Sequence, residues 1–412
     1  MADFLGFTSI LLICLITFIL GLRWPSASKF LYVALIIRVS VLLLGHYLIT
    51  LPDSTADAQS IEGQARFLAE SGFDYLIDYY PGISAMFIRW FIAIPYYVFI
   101  PSALMAKSIS LFFGMFSVFL VWKIAKKLWG NDIATKVGWF TALFPSLILY
   151  SVLTMRATYI GFFLLVAIYG VVKWCKSKKL IWIFLAITGF ICATFFHGAS
   201  IVGAITFIGI LILISLYDFV KSIKNLRISL TNLFLLLILI YIVTLYLSNQ
   251  IYFPYVRNFE FITDPNILMR KTRHSVMGEA SFPLWTIAET PIELIYKIPV
   301  RAIYFIFAPF IWDVNELKHI FGLIDGLLFI YLTLLVLKNI KLIWNNLALR
   351  IIFFILITYI IVFAVGVGNF GTGIRHRSKF VFMFILLAAP FIGDFKFHIK
   401  EKINRFNKSL IN

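Results

Sequence analysis

Apolar residues in this chain run on for whole helix lengths instead of recurring every second, third or fourth position. Such runs lie near residues 4–22, 30–51, 108–122, 137–153, 157–172, 181–196, 199–218, 230–248, 320–337, 351–367 and 379–394. Each approaches the roughly 20 apolar residues that a helix needs to cross a bilayer. The pattern therefore predicts an all-α polytopic membrane protein with about eleven transmembrane helices. Two longer segments, 52–107 and 249–319, stand between runs. They hold amphipathic, aromatic-rich pieces such as Met86–Ile100 and Val300–Ile311, which charge and proline interrupt. Those pieces are expected to lie along the membrane interface or to re-enter. Ala2 and Asp3 precede the first run where a signal peptide would carry positive charge, so this run is expected to remain as a span. No internal repeat is visible, and residues 1–412 read as one integral membrane domain.

Charge orients these runs. Arg23 and Lys29 follow the first, and Lys123, Lys126 and Lys127 follow the third; the segment 173–180 carries four lysines and no acid. Lys221, Lys224 and Arg227, then Lys338, Lys341 and Arg350, fall at later ends. The tail 395–412 holds Lys396, Lys400, Lys402, Arg405 and Lys408. An external N-terminus and a cytoplasmic C-terminus put all of them inside, as the positive-inside bias requires. The same threading leaves 52–107 and 249–319 outside. The first of these opens with six acids, Asp53, Asp57, Glu62, Glu70, Asp74 and Asp78, against Arg66 alone.

Composition narrows the class. Hydrophobic residues make up 62% and charged residues 13%, where soluble domains are about a quarter charged. A soluble enzyme, a disordered chain and a nucleic-acid-binding domain are excluded, and the formal charge of +17 reads as topology. Cys14, Cys175 and Cys192 lie in or beside apolar runs without paired spacing, which indicates neither a disulfide framework nor a metal site.

The first external segment offers chemistry. Asp57, Ile61, Ala65 and Leu68 share one helical face, and Asp57 stands in the first turn, where the helix dipole favours a carboxylate. It reads either as a solvated N-terminal acid or as a general base taking a proton from an acceptor hydroxyl. The segment resembles the first external loop of the GT-C membrane glycosyltransferases, especially the protein-mannosyltransferase-like group. Their pattern is Asp-Glu-x-x-Tyr-x-x-x-Ala-Arg-x-x-x-x-Ser-Gly, then Tyr-Pro-Pro. Asp57, Ala65, Arg66, Ser71 and Gly72 fall in register with it, and Tyr80-Pro81-Gly82 follows. Ala106–Gly130 resembles that family's helix running to a basic turn, and Phe144–Ser151 resembles its Pro-Ser-Leu-x-x-Tyr-Ser element. The likeness covers about the first 200 residues. It implies a GT-C-like fold, with Asp57 as catalytic base. Ala58 replaces the acidic neighbour of the family pattern, so no metal and no cofactor are expected. Glu62 and Tyr80, in the same segment, are expected to contact substrate.

The string Gly366–Lys379 places Arg375, His376, Arg377 and Lys379 at a hydrophobic boundary on the outer side, where ionisable groups are costly. Glycines let backbone N–H groups turn inward, and guanidinium forks suit phosphate. These four residues, with Arg156 from the hairpin between the fourth and fifth runs, are expected to hold a diphosphate. His197 in the next hairpin reads as a helix-end hydrogen bonder or a substrate contact. Arg270, Arg273, His274 and Arg301 in 249–319, mixed with aromatic residues, suit sugar stacking and phosphate capture. Arg38 is the one charge read as clearly mid-span.

Two functions follow. One is an enzyme that moves a glycan from a polyprenyl carrier at the periplasmic face of a bacterial inner membrane. Its donor would be a polyprenyl-diphosphate-linked oligosaccharide, as in O-antigen polymerases, which the chain resembles in size, span number and composition; a polyprenyl-monophosphate sugar is the alternative donor. The polymerase reading leaves room for a chain-length regulator protein as a partner. The other function is a transporter or flippase of lipid-linked sugars, which would carry ionisable groups deep in several spans.

Overall fold

The computed structural model describes residues 2–55, 57–224, 230–250, 264–278 and 280–393. Arg227, Arg257 and the basic tail 395–412 lie outside the described residues. Among those residues the fold is helical and contains no β-sheet; the one extended pairing is an isolated bridge between Ser281 and Asn369. The helices are α1 Ala2–Arg23, α2 Pro25–Tyr47, α3 Asp57–Glu70, α4 Phe73–Asp78, α5 Phe87–Val98, α6 Ala103–Trp129, α7 Asn131–Leu143, α8 Pro145–Ser151, α9 Arg156–Ser177, α10 Leu180–Phe196, α11 Ile201–Lys224 and α12 Leu230–Leu247. After them come α13 Pro265–His274, α14 Pro291–Phe307, α15 Leu317–Lys338, α16 Ile340–Asn345, α17 Leu347–Gly366, α18 Phe370–Arg377 and α19 Val381–Ala388.

Among the described residues, each apolar run of the sequence is mostly helical. Among the described residues, seven helices (α1, α2, α6, α9, α11, α15 and α17) are long and apolar enough to cross a bilayer, and the bent pair α7–α8 makes an eighth. The expected count of eleven is not confirmed: Leu180–Phe196 and Val381–Phe391 are apolar but short, and α12, of 18 residues, is not among the spans counted. Phe87–Val98 is likewise a short apolar helix, and Val300–Ile311 falls largely within α14, which contains Pro299. The protein is an all-α polytopic membrane protein.

Packing between spans relies on small residues. A Cβ at Gly189 would stand 2.5 Å from the Ala167 backbone nitrogen, and one at Gly170 would stand 2.7 Å from that of Ala186. Helices α9 and α10 therefore touch backbone to backbone. This is how apolar helices associate where lipid removes the hydrophobic drive between them.

The two ends of the bundle differ in charge. At one end Arg23 and Lys123 both face the Trp24 ring, while Lys123, Lys127 and Lys173 surround Tyr169. At the other end Asp3 of α1 meets Tyr47 and His46 of α2, and His46 meets Lys107 of α6. The segment α3–α5, with its acids, sits at this second end.

The span α7–α8 breaks by 59° at Phe144–Pro145, where proline brings no N–H to the helix ladder. Such a break leaves orphaned carbonyls on one half and orphaned amides on the other. Arg38 serves the first: its Nη1 donates to the Ala142 carbonyl at 2.8 Å. Asp325 lies near the second, beside Ser146, without a hydrogen bond to it. Asp325 in turn accepts from Arg377 Nε at 2.8 Å. The sequence reading of Arg38 as the one mid-span charge is thus corrected, since Asp325 lies fully buried in α15.

Candidate functional site

Helix α3 starts at Asp57, as its spacing predicts, and buries Ile61, Ala65 and Leu68. Its first turn faces α18. That short helix is capped by Asn369, whose side chain accepts from the N–H groups of Gly371 and Thr372 at 2.9 and 3.2 Å. Asn369 also donates to the Met277 carbonyl at 3.0 Å, which fixes the helix to the loop before α14. Successive residues of a helix project about 100° apart, so the three ionisable residues of its last turn go three ways.

Arg375 reaches α3 and forms an ion pair with Asp57 through Nη1 and Oδ2. The two residues are 318 positions apart in sequence. His376 turns inward: its ring lies 5.3 Å from that of His197, nearly perpendicular, and 4.8 Å from Phe363. Its Nδ1 is 2.8 Å from Lys379 Nζ. Arg377 enters the core.

Asp57, Arg156, Arg375, His376 and Lys379, with Ile61, Met155 and Ala157, line a single tight cavity with room for about one water molecule. Arg156 opens α9, so that helix also presents its N-terminus here, where free N–H groups and the dipole favour an anion. Burial holds the His376 imidazole well below its ordinary range, and Lys379, His197, Arg375 and Arg156 push the same way. Burial likewise lowers His197, followed by Lys379, Arg156 and Arg375. Both rings are therefore neutral at pH 7, and burial, with Arg156 and Arg375 pushing the same way, also pulls Lys379 well below the ordinary lysine range. Two guanidinium groups, Arg156 and Arg375, and the Lys379 amine then surround one carboxylate, an arrangement that suits an anion.

Asp57, Arg156 and Arg375 thus line one cavity, whereas His197 does not line it and stands behind His376. Arg377 does not belong to the cavity. It is 0% exposed, paired with Asp325, and donates to the carbonyls of Ile306 and Ala308 at 2.7 Å each. A guanidinium so occupied has no edge for phosphate. Arg301 is also 0% exposed; it donates to the carbonyls of Ala364 and Val367 at 2.9 and 2.8 Å and to Ser275 Oγ at 2.7 Å. It ties α14 to the end of α17 and is no substrate contact.

Arg270, Arg273 and His274 lie exposed on α13, outside this cavity. Tyr80 packs against Trp90 at 5.1 Å instead of lining it. Glu62 projects from a different side of α3 and accepts from Thr154 Oγ1 at 2.5 Å. Burial raises its carboxyl above the ordinary range, opposed by Thr154, Lys107 and Arg66. Sequence reasoning missed Asp325, whose signal was an acid inside an apolar run. It also missed His46 and Lys107, which carry no local signal. Among the described residues no group of three or more His, Cys, Asp or Glu side chains is arranged to hold a metal. No protein-family model matches the chain, and no curated protein matches it.

Proposed function

We propose that the protein is a membrane glycosyltransferase of GT-C-like type, working at the periplasmic face of a bacterial inner membrane. It moves a glycan from a polyprenyl-diphosphate-linked oligosaccharide to an acceptor sugar, as a surface-polysaccharide polymerase does. The observation that supports this best is the cavity where Asp57 meets Arg375 beside Arg156 and Lys379. A diphosphate diester carries two negative charges, against one for a monophosphate sugar. The guanidinium groups of Arg156 and Arg375 match the former in number, with Lys379 beside them. Of the residues expected to hold it, Arg377 drops out, and Arg375, Arg156 and Lys379 remain around the cavity.

In this reading the diphosphate binds Arg375, Arg156 and Lys379 and competes with Asp57 for the Arg375 guanidinium. Released from that pair, Asp57 accepts the proton of the acceptor hydroxyl. The hydroxyl oxygen bonds to the anomeric carbon of the donor sugar. The bond from that carbon to the diphosphate oxygen breaks, and its electron pair leaves with the lipid diphosphate, where the guanidinium groups stabilise the growing charge.

The test is Asp57→Asn and Arg375→Gln in cells, read by the length ladder of the surface polysaccharide. Loss of the ladder at normal protein level is the expected result; a normal ladder in both variants overturns the reading. A transporter of lipid-linked sugars is the second reading, favoured by the broken span α7–α8 with Arg38 and Asp325 at its ends, since transporters build sites at interrupted helices. It predicts that Asp57→Asn leaves ladder spacing intact while single units fail to arrive.

A further inference from the structure

A second cavity lies against another side of α3. It is open on one side and holds about 460 Å³, and its lining includes His46, Tyr47, Thr50, Gln59, Glu62 and Lys107. Asp57 and Ile61 line the cationic cavity, whereas Gln59 and Glu62 line this one. At 100° per residue the two pairs project from different sides of the helix, so the cavities are separated by about one helix diameter, roughly 10–12 Å.

The two cavities differ in electrostatic character. The first is cationic. Here one carboxylate, Glu62, is matched by one ammonium, Lys107, whose Nζ lies 3.3 Å from His46 Nδ1. An anion would meet Glu62, and a cation would meet Lys107. The remaining polar groups are amide, imidazole, phenol and hydroxyl, able both to donate and to accept. Such a lining, dense in hydrogen-bonding groups and balanced in charge, matches a neutral polyhydroxyl ligand. Its volume falls within the roughly 300–1,000 Å³ of ligand sites. Glu62 also holds Thr154, two residues before Arg156 of the cationic cavity. A ligand on Glu62 is thus joined through a short extended segment to the groups proposed to hold diphosphate.

We propose that this cavity binds a sugar of the acceptor saccharide other than the one whose hydroxyl meets Asp57, with Glu62 and Lys107 hydrogen-bonding its hydroxyl groups. The assignment of the ligand as acceptor rests on the glycosyltransferase reading. Binding of a neutral sugar can be measured without it.

The experiment uses the full-length protein in lipid nanodiscs and saturation-transfer NMR. Its probes are N-acetylglucosamine, N-acetylgalactosamine, rhamnose and lactose, with inorganic pyrophosphate measured separately by calorimetry. At least one sugar is expected to bind the native protein. Glu62→Gln and Lys107→Met, neither of them in the cationic cavity, should each weaken that sugar about tenfold, the effect of losing one charge-assisted hydrogen bond. Pyrophosphate binding should survive in both variants, which also shows that they fold. Failure of all four sugars to bind, or binding unchanged in both variants, overturns the proposal. Displacement of the sugar by pyrophosphate also overturns it, because a single shared site is then indicated. Sugar binding without any pyrophosphate binding would instead sink the diphosphate reading and leave this site standing.

Discussion

Replacing Arg377 by methionine separates its two assignments, a phosphate ligand in the sequence and a core ion pair in the fold. The guanidinium is fully buried and serves the Asp325 carboxylate and the carbonyls of Ile306 and Ala308. Removing it leaves a carboxylate at 0% exposure without its cation. Breaking a buried pair from one side costs about 3–5 kcal/mol, and each orphaned carbonyl adds about 1–3 kcal/mol if no water reaches it. Arg377→Met is therefore expected to lose at least about 3 kcal/mol, measured by denaturant titration in mixed micelles. The double variant Asp325→Leu with Arg377→Met removes both charges and should recover part of that loss, because an apolar pair bears no desolvation penalty. The cycle then gives a coupling of about 2 kcal/mol or more. Arg377→Met with native stability but no polysaccharide ladder would refute the reasoning and return Arg377 to the ligand set. A double variant as unstable as the sum of the single ones would refute it too.

Other outcomes follow from the same geometry. Asp57→Asn and Arg375→Gln break a partly exposed pair, so each should change stability by no more than about 1 kcal/mol while abolishing transfer; a larger loss in denaturant titration would make the pair structural. Gly189→Val places a side chain against the α9 backbone and should destabilise by about 2 kcal/mol or more, as overpacking does, with unaltered stability arguing against close α9–α10 contact. The Glu62 carboxyl is raised by burial, so its protonated form is favoured in the fold. The stability it contributes is present below the unfolded carboxyl range and lost as pH rises through the raised value. Glu62→Gln should thus melt higher than the native protein at pH 8 and no higher at pH 4; the opposite order would show that the charged form is the stabilised one.

Much was legible along the chain because its causes are local. The hydrophobic runs set the helices, since an unpaired backbone in lipid is forbidden and a helix satisfies it within the segment. The start of α3 at Asp57 and its buried face followed from period and dipole, and clustered lysines marked one end of the bundle. The run Arg375–Lys379 drew notice because charge at an apolar boundary is costly wherever it occurs. What each member does was not local. Three consecutive residues of one helical turn point three ways, and only the neighbours decide that Arg375 meets Asp57, His376 meets His197 and Arg377 meets Asp325. The polar cavity was invisible for the same reason, since His46, Glu62 and Lys107 come from α2, α3 and α6. The sequence by itself determined an all-α membrane protein and its acidic and basic ends, through solvation energies that depend on residue type alone. Only the tertiary structure decided which charges are ligands in waiting and which are internal pins, because that depends on whether a partner lies within about 3 Å of the side chain.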